Sequence, residues 1–165
     1  MRKIALLTVI ICATFAVKAQ DVNRNFGVGL QSSFPTFGLS AKYAITDQSV
    51  VQAIVSPFGI GTWNRNYFAG RYLHRWLDAA DLGGGISLDP YAFGAIGLVT
   101  YKYDYWGGYR ESDSFVSFSF GGGAEVVLEK HFGISAEIGL GQFGVSRTGG
   151  LFGLVGGIGL HYYFK

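Results

Sequence analysis

The feature that most constrains this chain is an alternation of period two whose second phase is small rather than charged. From 152 to 164 one phase reads Phe152, Leu154, Gly156, Ile158, Leu160, Tyr162, Phe164, and the other Gly153, Val155, Gly157, Gly159, His161, Tyr163. Successive side chains of a β-strand point to opposite faces, so this is a two-faced strand. Two earlier stretches repeat the pattern. Ile134, Ala136, Ile138 and Leu140 oppose Ser135, Glu137, Gly139 and Gly141; Val116, Phe118, Phe120 and Val126 oppose Ser117, Ser119, Gly121 and Glu125. In a soluble barrel or sandwich the apolar phase fills the core and the other meets water, so that second phase should carry many Lys, Glu and Thr residues. Gly and Ser with an isolated carboxylate instead suit a cramped interior, and an unbroken bulky apolar phase suits lipid. A bilayer admits strands only as a closed barrel, because an open edge would leave backbone N–H and C=O groups without partners.

Composition bears on the same choice. Gly supplies 26 of the 165 residues, too many for helices when each interior Gly costs about 1 kcal/mol relative to Ala. Charged side chains make up only 15% and apolar ones 49%, which excludes a disordered chain. The length fits one domain.

Arg2 and Lys3 precede an apolar stretch from 4 to 17 that is too short to span a bilayer, and Ala19 offers a small residue before a cut. Residues 1–19 therefore read as a secretory signal peptide, and 20–165 as the barrel domain. A lipoprotein leader acylated at Cys12 is the rival reading, disfavoured by the bulky Ile11 before it. Removing 19 of 165 residues leaves 146, and ten basic against eleven acidic side chains give a net charge of −1. No basic patch remains for nucleic acid. The single Cys leaves with the leader, so neither a disulfide nor a thiolate metal site is expected.

Eight strands are expected, at 25–33, 36–45, 49–58, 63–77, 90–105, 114–130, 134–145 and 151–164, each near or above the roughly 9 to 11 residues that cross a membrane at a tilt. With both ends periplasmic, the connections at 46–48, 78–89 and 131–133 fall on the periplasmic side. Those at 34–35, 59–62, 106–113 and 146–150 face outward. Aromatic belts belong at the two water interfaces: Phe37, Trp63, Tyr101, Tyr105, Trp106, Phe115 and Phe152 outside, and Tyr43, Trp76, Phe132, Tyr162 and Phe164 on the periplasmic side.

The segments Gly123-Ala124-Glu125-Val126-Val127-Leu128, Lys130-His131-Phe132-Gly133, Ala136-Glu137-Ile138-Gly139-Leu140-Gly141 and Gly159-Leu160-His161-Tyr162-Tyr163-Phe164 resemble bacterial outer-membrane β-barrel domain proteins of the small OmpX/OmpA-like type. The resemblance is most specific from Gly123 onward, and Ala69-Gly70-Arg71-Tyr72 and Pro90-Tyr91-Ala92-Phe93-Gly94 agree with it. It implies an all-β, eight-stranded antiparallel up-and-down transmembrane barrel with a filled lumen, in the outer membrane of a Gram-negative cell after signal-directed export. It also implies lipid and the barrel-assembly machinery as partners, with Tyr162 and Phe164 in the positions of the assembly signal. A monomer is expected.

Within the inward phase, Glu125 and Glu137 are equidistant from 131, so a turn centred on His131 would set them opposite each other. Two like charges there need a cation. The expectation is a structural network in which Arg71 bridges both glutamates, with Lys42 and Tyr67 nearby and Arg75 in the same phase. A carboxylate pair is also the equipment of glycoside hydrolysis, but an eight-stranded barrel is only wide enough for its own side chains. Gly139-Leu140-Gly141-Gln142-Phe143-Gly144 spells a dinucleotide fingerprint inside an alternating strand with no helix to follow. His74, His131 and His161 lack metal-ligand spacing. No catalytic, metal or cofactor residues are expected. A lipid-modifying barrel enzyme would need a Ser and His cluster at the outer rim, where Ser112, Ser114 and Ser146 have no His beside them. A secreted lipocalin-like carrier would turn the same strands inside out. Surface contact is expected from Tyr103, Tyr105, Trp106, Tyr109 and Arg110, residue types that often carry binding energy, with no ligand named by the sequence.

Overall fold

The computed structural model describes residues 24–33, 36–56, 59–60, 63–104, 110–145 and 151–164. The expected leader and Cys12 lie outside the described residues. The strands are β1 (Phe26–Ser33), β2 (Thr36–Ala44), β3 (Ser49–Ser56), β4 (Gly59–Ile60), β5 (Trp63–Arg75), β6 (Ala80–Gly83), β7 (Ile86–Asp104), β8 (Arg110–Leu128), β9 (Phe132–Val145) and β10 (Leu151–Phe164).

Eight of these are long, and each pairs antiparallel with its long neighbours in sequence. The ring closes where β1 meets β10, from Phe26 opposite Phe164 to Gln31 opposite Gly159. This is the closed, eight-stranded, up-and-down antiparallel barrel that the alternation predicts. Closure removes the free strand edges that an open sheet would present.

The side-chain phases fall as lipid exposure requires. Leu154, Ile158 and Ile138 are 73%, 69% and 66% exposed, while Glu137 is 8% exposed and Lys42 and Arg71 4%. Gly121 and Gly139 sit opposite each other on β8 and β9. A Cβ on either would run into the backbone of the other strand, so the small inward phase is a packing requirement here.

Several features differ from expectation. The stretch 78–89, read as one connection, contains a hairpin in which β6 pairs with the start of β7. Its turn is Gly83, Gly84 and Gly85, with φ of 80°, 63° and 78°, a left-handed run that suits Gly. On the opposite side, β7 and β8 pair out to Asp104 and Arg110, so 110–113 are strand rather than loop. Finally, Phe115 is not a belt residue: it packs inward against Ile54, Tyr67, Ala69 and Val99. Its phase follows from that of the exposed Val116 and Phe118.

Candidate functional site

The interior is a column of polar side chains, described here from the end that carries the tight turns toward the end that carries the loops. At the turn end, Arg24 adopts a left-handed backbone (φ 55°). Its guanidinium lies 2.6 Å from Asp89 and 3.5 Å from Asp78, and Asp89 also accepts the Asp78 backbone N–H at 2.7 Å.

One level deeper, Lys42 on β2 donates to Glu125 Oε1 on β8 at 2.8 Å, and the Tyr163 hydroxyl on β10 donates to Glu125 Oε2 at 2.7 Å. Beside them His161 Nε2 and Ser40 Oγ are 3.0 Å apart, and the Gln52 amide donates to Ser40 at 2.7 Å. A separate group follows. Arg71 on β5 donates to Glu137 Oε2 on β9 at 2.7 Å, and Tyr91 on β7 donates to the same oxygen at 2.9 Å. The Arg71 guanidinium also lies 4.4 Å from the Phe93 ring centre. Every carboxylate in this column thus faces a cation, as burial of charge requires.

Glycine in the inward phase makes room for these long side chains. A Cβ on Gly133 would stand 2.5 Å from Glu125 Oε1, one on Gly123 2.7 Å from the Tyr91 hydroxyl, and one on Gly157 2.9 Å from Glu137 Oε1.

The structure brings Arg71, Glu137, Lys42 and Glu125 into one lumen but divides them differently from the sequence expectation. Arg71 meets Glu137, and it is Lys42 that meets Glu125. The cause is register. Leu128 pairs with Phe132, so the β8–β9 turn centres on Lys130 rather than His131; Glu125 then faces Ser135, and Glu137 faces Gly123. Glu129 and Lys130 carry the turn at φ of 50° and 62°, a conformation that neither residue type advertises. Tyr67 lies in the apolar cluster with Ile54, Ala69 and Val99, and Tyr91 and Tyr163 donate to the carboxylates of Glu137 and Glu125. Both were legible as inward by phase, as were Ser40, from Lys42, and His161. Gln31, Gln52, Arg24 and Asp89 gave no such signal beyond polarity.

Ser40, His161 and Glu125 follow the order nucleophile, base and acid, with His161 Nδ1 3.8 Å from Glu125. The group is enclosed, with Ser40, His161 and Glu125 5%, 3% and 5% exposed. Ser40 already accepts from Gln52, Glu125 is held by Lys42 and Tyr163, and the neighbouring cavity, lined by Lys42, Arg75, Asp89, Tyr91, Glu125 and Tyr163 among others, measures ≈ 10 Å³ to the centre of a water-sized sphere. That is room for about one water. Among the described residues no group of three or more His, Cys, Asp or Glu could hold a metal ion.

On the outside, Phe37, Phe152, Trp76, Phe132, Tyr162 and Phe164 are exposed near the strand ends, and Phe132 and Phe164 each meet Tyr162 edge-on at 5.1 and 5.0 Å. Of the expected contact surface, Tyr103 and Arg110 lie in β7 and β8, with Tyr103 opposite Glu111. Tyr105, Trp106 and Tyr109 lie outside the described residues.

A closed eight-stranded barrel with bulky apolar groups outside and ion pairs inside is the architecture of small outer-membrane barrel proteins. The fold is similar to the N-terminal β-barrel domain of Pseudomonas aeruginosa OprF, with a TM-score of 0.60 at 15% identity, covering 84% of this chain and 95% of that one. It is also similar to Neisserial surface protein A (NspA), with a TM-score of 0.52 at 13% identity, covering 84% and 93%. No family model matches the sequence, and no curated protein matches it.

Proposed function

We propose that the chain is a non-enzymatic integral outer-membrane β-barrel protein that acts as a structural or surface-interaction element through the hairpin joining β7 and β8. The carrying observation is the exterior. Leu154, Ile158 and Leu160 stand exposed on a barrel whose strand-borne charges Lys42, Arg71, Glu125 and Glu137 are buried, an arrangement costly in water and favourable in lipid. A signal peptide at 1–19 delivers it, the assembly machinery inserts it through an outward aromatic edge that includes Tyr162 and Phe164, and the closed sheet leaves it a monomer. Tyr103, Tyr105, Trp106, Tyr109 and Arg110 supply the contact surface.

A secreted carrier needs the opposite orientation and a ligand-sized interior. A lipid-modifying enzyme needs a nucleophile and base on the outer rim, whereas the Ser40 and His161 pair is internal. The test is extraction. The protein should stay in the membrane through alkaline carbonate, require detergent for release, and migrate differently on gels before and after heating. Release without detergent would overturn the proposal, and an altered lipid A profile on expression would favour the enzyme.

A further inference from the structure

The buried charges divide by sign along the chain. Among the described residues the buried cations are Arg24, Lys42, Arg71 and Arg75, and the buried carboxylates are Asp89, Glu125 and Glu137. Strands β1 to β5 contain no Asp or Glu at all. The first half of the wall is therefore lined with positive charge and the second with negative. The halves meet at two seams, β5 with β7 and β1 with β10.

The ion pairs cross from one half to the other. Lys42 on β2 meets Glu125 on β8, Arg71 on β5 meets Glu137 on β9, and Arg24, just before β1, meets Asp89 on β7. Around the ring of eight long strands β2 is second and β8 sixth, so Lys42 and Glu125 reach each other across the axis. Arg24 also contacts Asp78 in the link between the halves, and within the second half His161 Nδ1 lies 3.8 Å from Glu125.

Inside each wall, like charges are neighbours. Lys42 and Arg71 stand in one cross-strand row with Gln52 between them. Glu125 faces Ser135, which places Glu137 one diagonal step away. The first wall has no strand carboxylate for its cations, and the second has Lys102 and Arg110 only at the loop ends of β7 and β8.

We propose that this segregation directs assembly: each half-barrel rejects a second copy of itself and accepts the other half, so that the polar lumen is buried only when β10 returns to β1. A buried charge without an opposite partner is strongly destabilising, and a repulsive element of this kind confers partner choice. Apolar packing alone tolerates many partners. The inference needs the closed barrel and not its location in a membrane.

The test separates pairing from segregation. Full-length chains are refolded from urea into detergent micelles over a range of protein concentrations, and the products are resolved by size exclusion and by gel mobility before and after heating. Exchanging both pairs, Lys42→Glu/Arg71→Glu/Glu125→Lys/Glu137→Arg, keeps each pair matched and the halves opposite in sign. Exchanging one, Lys42→Glu/Glu125→Lys, keeps each pair matched but puts a cation and an anion in each wall. The four-site variant should match the monomer yield of the unsubstituted chain. The two-site variant should lose most of that yield to oligomers, increasingly so at higher concentration. Equal, non-zero monomer yields from the two variants, or a higher yield from the two-site one, overturn the proposal. Where neither variant folds, a mixture of Lys42→Glu/Arg71→Glu with Glu125→Lys/Glu137→Lys decides. Each alone should give no folded band, and together they should give a dimer with exchanged halves. Absence of recovery on mixing overturns the proposal.

Discussion

Two separate ion pairs make a different prediction from one shared arginine, and a double-mutant cycle distinguishes them. The side chains of Arg71 and Glu137 are 1% and 2% exposed and 2.7 Å apart, so water cannot replace either partner. Arg71→Met leaves Glu137 with only the Tyr91 hydroxyl among the partners named above, and breaking a buried pair this way costs about 3 to 5 kcal/mol. Adding Glu137→Gln removes the orphaned charge, and the double variant should recover about 1 to 3 kcal/mol relative to the sum of the single changes. Lys42 and Glu125 should couple in the same range, because they too are 2.8 Å apart with side chains only 5% and 7% exposed. Arg71 and Glu125, which make no direct pair, should add to within about 0.5 kcal/mol. The assay is urea unfolding of the barrel in phospholipid vesicles, followed by tryptophan fluorescence and by the heat-modifiable gel band. A coupling between Arg71 and Glu125 as large as that between Arg71 and Glu137 would refute the two-pair geometry.

Placing Arg at Ile158, 69% exposed on the outer face, should cost about 2 to 4 kcal/mol in vesicles if it lies near the bilayer midplane, measured by the same unfolding. Gly139→Ala should destabilise by about 1 to 3 kcal/mol, because its Cβ would meet the Phe120 carbonyl, whereas Gly94→Ala, with nothing within 4 Å, should leave the unfolding midpoint nearly unchanged. Shortening Phe115 to Ala should reduce stability through lost packing on Val99 and Tyr67, by about 3 kcal/mol or less for a half-buried ring. A loss no greater than for an exposed Phe152→Ala would place Phe115 in the lipid belt after all.

The alternation made the barrel legible because lipid and lumen impose opposite demands on alternate residues. One phase sufficed to mark Glu125, Glu137, Lys42 and Arg71 as inward. Partner choice was not legible, because it depends on register, and register hangs on single turn residues. Moving the centre of the β8–β9 turn from His131 to Lys130 displaces each cross-strand partner by two residues and separates the two glutamates. Neither Glu129 nor Lys130 announces a left-handed turn in the way that Gly or Asn does. The hairpin of β6 and β7 was hidden for the opposite reason: three consecutive glycines fit a turn, a loop or a strand start. For Phe115 residue type suggests a belt, whereas its position in the alternation points inward, where it packs.

The most direct measurement is a nitroxide scan along β10, with positions from 152 to 164 replaced in turn by a spin-labelled cysteine in vesicles. Labels at 154, 156, 158 and 160 should collide freely with lipid-dissolved oxygen and rarely with a water-soluble nickel chelate, while those at 155 and 161 should be immobile and shielded from oxygen; Gly157 and Gly159 are kept, because an added Cβ would meet Ser32 and Gln31. Oxygen accessibility that peaks at the second set, or that shows no period of two, would contradict the account at its root.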